Sequence, residues 1–148
     1  MPLHGYLLLC ERLAEDGGGF ASGWNFGPAE TDAKPVSWIA DKLVASWGDG
    51  ASWTQDGTPH QAEAQLLRLD TSKARAHLDW HPVLQLDQSL LWIVEWYEAF
   101  QAGKDLQSLT RRQIERYEYL LQDDAETNAL AARRMKAAAA PLLSAADG

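Results

Sequence analysis

Apolar positions in this chain recur at helical spacing in several runs, most of them closed by glycine. Positions 3–16 read as a helix with Leu7, Leu8, Leu9 and Leu13 apolar and Glu11, Arg12 and Glu15 outward. Gly17-Gly18-Gly19 is expected to stop it, because glycine supplies the left-handed exit conformation. The apolar pattern starts almost at Met1, with no cap before it, as expected of a chain cut from something longer. A second helix is expected over 36–47, with Ser37 as N-cap and Trp38, Ile39, Leu43, Val44 and Trp47 on a wide apolar face. Asp87 is the expected cap of a third over 88–101, where Leu90, Ile93, Val94 and Tyr97 form one stripe and Trp92 and Trp96 another. After Gly103, Asp105 caps a fourth, with Leu106, Leu109, Ile114, Tyr117 and Leu121 on one side.

Three short stretches read as strands: 22–27, where Trp24 and Phe26 alternate with Asn25, then 51–54 and 65–69. The last leads into Leu69-Asp70-Thr71-Ser72-Lys73-Ala74-Arg75-Ala76-His77-Leu78-Asp79-Trp80-His81-Pro82, read as a strand end, a capped short helix and a forced stop. From 125 onward the chain is alanine-rich, and alanine favours helix but buries little. The expectation is one domain over 1–122 and a tail over 123–148, the tail a frayed surface helix or disordered.

Composition narrows the partners. A chain of 148 residues suits one domain with a core. Its net charge of -8 is the wrong sign for tracking a phosphate backbone, so no nucleic acid partner is expected, although a small phosphorylated ligand stays open. The single cysteine, Cys10, excludes an internal disulfide and a CxxC metal site. Lying among leucines, it reads as a buried thiol. The apolar run 6–10 is too short to span a bilayer and lacks a basic lead, so no membrane partner and a cytoplasmic location are expected.

Familiar catalytic patterns do not occur in the sequence. Gly17-Gly18-Gly19 follows a helix and misses the GxGxxG spacing, and no Tyr is followed four residues later by Lys. There is no GxSxG elbow and no Walker loop. His77 and His81 have zinc-like spacing, but Pro82 ends the helix between them, so no metal site is expected. The seven tryptophans stand mostly at core spacing. The best site candidate is the loop His60-Gln61-Ala62-Glu63. An imidazole can donate to phosphate oxygens there, and a carboxylate can accept from vicinal hydroxyls. A plain solvated loop is the alternative.

The stretch from Asp70 to Pro82 resembles the C-terminal signature of extended short-chain dehydrogenases/reductases that act on nucleotide sugars. In those proteins a strand ends in Asp, Ser/Thr-Lys-Ala opens a helix and Leu-Gly-Trp-x-Pro closes it. Trp24-Asn25-Phe26-Gly27-Pro28 is similar to the Tyr-Asn-Ile-Gly strand of the same family. Pro2-Leu3-His4-Gly5-Tyr6-Leu7 and Lys34-Pro35-Val36-Ser37-Trp38-Ile39 are similar to the CDP-glucose 4,6-dehydratase branch. The resemblance spans about 2–119. It implies an α/β fold, namely the C-terminal substrate-binding part of an extended NAD(P)-binding Rossmann-like protein, mostly helical with a few short strands. It implies an NAD-dependent lyase of deoxysugar biosynthesis whose cofactor motif and catalytic Tyr and Lys fall outside this chain, leaving the chain inactive by itself. CDP-glucose or a related nucleotide sugar is the implied ligand, with His60 near the diphosphate and Glu63 on the ribose. The implied protein partner is a homo-oligomer or a complementary N-terminal half. A non-catalytic nucleotide-sugar-binding or interaction module, or one half of a split enzyme, are the alternatives. Asp79 stands where the family carries Gly, a substitution expected to cost about 1 kcal/mol at a left-handed exit.

Overall fold

A computed structural model describes residues 2–57 and 69–143. The chain divides into two compact units, Met1–Asp105 and Leu106–Gly148. The first contains α1 (Pro2–Glu15), the single turn α2 (Gly17–Phe20), a 3₁₀ turn (Glu30–Asp32), α3 (Val36–Trp47), α4 (Ser72–Leu78) and α5 (Leu86–Gln101). The second is built on α6 (Leu106–Leu143).

Two packing centres organise the first unit. In one, α1 meets α2 and α4. Phe26, Ala74, Leu78 and Trp80 form its buried cluster, and Leu8, Leu9, Phe20 and Trp24 pack around them. The rings of Phe26 and Trp80 meet edge to face at 5.0 Å, and Tyr6 meets Phe26 in the same way at 5.4 Å. Gly5 is buried here, because a Cβ at this position would stand 2.8 Å from Cγ of Phe26. In the other centre α3 packs against α5. Lys42 pairs with Asp87 at 3.2 Å, and the Leu86 N–H donates to Asp32 Oδ2 at 3.1 Å. A carboxylate from the 3₁₀ turn therefore occupies one of the free donors at the start of α5. The expected caps Ser37 and Asp87 do not serve: Pro35 and Gln85 hold the cap positions of α3 and α5, without side-chain bonds.

Several expectations change. No strand occurs among the described residues, so the strands expected at 22–27 and 51–54 do not form. A strand needs a neighbouring backbone to pair with. Positions 21–29 lie outside any helix or strand and are tied down by side chains from elsewhere. The mostly helical part of the expectation holds, whereas a Rossmann-like sheet is not seen in these residues. Most of the strand expected at 65–69 lies outside the described residues. Gly17-Gly18-Gly19 makes no left-handed exit; it forms α2 instead. Cys10 is exposed, contrary to the buried reading. At about 100° per residue, Gly5, Leu8 and Leu9 face inward and Cys10 turns away from them. Of the seven tryptophans only Trp80 is fully buried, while Trp24, Trp38, Trp47, Trp92 and Trp96 are half-buried and Trp53 is exposed.

The second unit continues the fourth expected helix without a break through the alanine-rich stretch as far as Leu143. Ile114, Tyr119 and Leu130 are exposed along it. No helix among the described residues is long and apolar enough to cross a membrane.

Candidate functional site

The start of α4 is a knot of polar contacts. Asp70 Oδ1 accepts the Ser72 backbone N–H at 2.9 Å and also the Ser72 hydroxyl. These bonds hold the Asp70 carboxyl below its usual range. The Asp70 carbonyl in turn accepts from Asn25 Nδ2 at 3.1 Å, tying the extended segment to the helix. Lys73 extends the tie: its ammonium donates to Ser22 Oγ at 2.7 Å and to the Gly23 carbonyl at 3.0 Å, and lies 4.3 Å above the Trp24 ring. Ala74, next along, is wholly buried, where a larger side chain would have no room. The Ser-Lys-Ala pattern is thus explained by architecture: a cap, a staple and a close approach.

The helix ends as the sequence pattern requires. Asp79 adopts the left-handed conformation at φ 50 and ψ 29. The Trp80 N–H then reaches back to the Ala74 carbonyl at 3.2 Å, which directs the indole into the core. Among the described residues the buried Trp80 Nε1 has no hydrogen-bond partner.

Beside this knot is an open groove of about 400 Å³. Pro28 and Glu30 line one side; Leu69 to Ser72 and Arg75 line the other. It offers one guanidinium, two carboxylates and the hydroxyls of Thr71 and Ser72. A guanidinium can hold an anionic oxygen pair in fork geometry, and carboxylates and hydroxyls can bind a hydroxyl-rich ligand. His60 and Glu63 lie outside the described residues; the chain resumes at Leu69, on the groove wall. Arg75 and Glu30 were not singled out from sequence. Arg75 follows Ser72 at helical spacing and so shares its face, the one signal that could have found it. His77 is exposed on α4 with its ring edge-on to Trp24 at 6.2 Å. Among the described residues no group of three or more His, Cys, Asp or Glu could hold a metal ion.

With this geometry in place, comparison with known proteins gives the class. No family model matches the chain. The chain is a partial, C-terminal-type homologue of a curated sugar-nucleotide dehydratase. That relative is the CDP-glucose 4,6-dehydratase of Salmonella typhimurium (strain LT2), 47% identical over 116 residues. The match takes in 78% of this chain but only 32% of the relative, so the chain spans about a third of the length of the protein it matches.

Proposed function

We propose that this chain is the nucleotide-sugar-binding part of a CDP-glucose 4,6-dehydratase-type lyase. It works with a polypeptide that carries the cofactor site and the catalytic residues, and it turns nothing over alone. The carrying observation is the 47% identity over 116 residues to a CDP-glucose 4,6-dehydratase. The groove beside α4 supports it, with a guanidinium and carboxylates next to the segment that bears His60 and Glu63. In this reading His60 contacts the diphosphate, Glu63 accepts from the ribose hydroxyls, and Arg75 adds positive charge at the rim. The alanine-rich residues 123–148 stand outside the binding part.

The described residues do not fit NAD. A dinucleotide sits where a strand runs through a glycine-rich turn into a helix, and the glycine triplet here links two helices instead. No chemical step is therefore assigned to this chain. The test is calorimetry with CDP-glucose, together with an assay that follows the alkaline absorbance of a 4-keto product in the presence of NAD. Binding that is lost in Glu63→Ala, with no turnover, is the expected result. Turnover by the isolated chain would overturn the inactivity, and no binding of CDP-glucose would overturn the site.

A further inference from the structure

Helix α1 carries apolar side chains on two opposite faces. Gly5, Leu8 and Leu9 turn toward the Phe26–Trp80 cluster. On the other side, Leu3 is 73% exposed and Leu7 65%, with Tyr6, Cys10 and Leu13 exposed beside them. The polar residues His4, Glu11, Arg12 and Glu15 form only a narrow band between the two faces. A helix that is apolar nearly all round is a core helix, covered on both sides. Here one side is covered by the unit's own core.

What covers the other side is indicated by length. The matched stretch makes up 32% of the dehydratase relative, so twice as much polypeptide again accompanies it there. We propose that the Leu3–Leu7–Cys10 face of α1 is the docking surface for a polypeptide equivalent to that remaining length. The inference rests on the dehydratase reading and names the place where the complementary part binds. The unpaired extended segment beside α1 is consistent with an element that continues into a larger structure.

The experiment co-expresses the full chain, tagged, with the part of the Salmonella relative outside the matched stretch. The two should co-purify at equal stoichiometry. Leu3→Lys and Leu7→Lys should each cut recovery by about tenfold or more, because a charge is buried on docking. Both sites face solvent in the free chain, so its melting curve should not move. Leu91→Lys, exposed on α5, should leave recovery unchanged. Maleimide labelling of Cys10 should be fast in the free chain and slow in the complex. A chimera with this chain in place of the matched stretch gives a second measurement, in which Cys10 should again be protected. Recovery insensitive to Leu7→Lys, or Cys10 labelled equally in free chain, complex and chimera, would overturn the proposal. A concentration-dependent dimer of the free chain that already protects Cys10 would assign the face to a second copy and overturn it too. Turnover of CDP-glucose is read separately: a complex that converts none keeps the docking and sinks only the dehydratase reading.

Discussion

Replacing Asp79 by glycine should stabilise the first unit. Asp79 holds φ 50 and ψ 29 at the end of α4, a conformation that costs an L-residue about 1–2 kcal/mol, somewhat less for Asp. Glycine removes that strain but adds freedom to the unfolded chain worth about 0.5–1 kcal/mol. The carboxylate also stands at a helix C-terminus, where negative charge is unfavourable by about 0.3 kcal/mol or more. The net gain for Asp79→Gly is therefore about 0.5–1 kcal/mol. For a unit ending at Asp105 this raises the melting midpoint by roughly 2–6 °C. Asp79→Asn separates the causes: it tolerates the left-handed region and removes only the charge, so it should gain a few tenths of a kcal/mol. Asp79→Ala keeps no such tolerance and should lose stability. Circular-dichroism melts and urea titrations of the three variants test the order Gly above Asn above wild type above Ala. If Asp79→Ala were as stable as Asp79→Gly, the left-handed exit would not be what position 79 controls.

Further outcomes follow from other contacts. Gly5→Ala places a methyl group against Cγ of Phe26 and should destabilise by about 1–3 kcal/mol, seen as a lower urea midpoint. Lys73→Met keeps much of the stem but loses two hydrogen bonds and the charge over Trp24, and should cost about 1–2 kcal/mol. Trp24 fluorescence, recorded in a variant with the other tryptophans replaced by phenylalanine, should change with it. Stability should also fall with acid in two stages. Burial, with His81 nearby, lowers the His4 pKa from 6.5, so the unfolded chain takes up the proton first and stability declines as pH drops below about 6.5. The Ser72 bonds lower the Asp70 pKa from 3.8, so their contribution is intact above about 3.8 and disappears as pH falls through the folded value. Urea midpoints measured from pH 8 downward should lose the first decline in His4→Gln and the second in Asp70→Asn.

Much of this molecule is legible one residue at a time. The bounds 36–47 of α3 follow from the run of Trp38, Ile39, Leu43, Val44 and Trp47 between Pro35 and Gly48. The left-handed exit at 79 and the burial of Trp80 follow from a pattern of cap, small residue, exit and indole that local chemistry enforces. The relationship to the dehydratases was legible for the same reason, because those residues carry the geometry of one helix and its two ends.

Other features depended on what each segment meets. Cys10 looked buried because α1 is apolar on both sides, and periodicity alone does not say which side faces the core; the approach of Gly5 to Phe26 decides it. Positions 22–27 have a strand's alternation, but a ladder needs a second backbone, and side chains of Asn25 and Lys73 hold the segment instead. The cap of α5 comes from Asp32, distant in sequence, which no local pattern can announce. The groove was hidden likewise: Glu30 and Arg75 become neighbours only when the extended segment is tied to α4. By itself the sequence determined which helices form, how α4 ends and which proteins the chain resembles, since these are set by contacts within a few residues. Only the tertiary structure decided which face of α1 is covered, what caps α5 and which charges share a groove, because each needs two distant segments brought together.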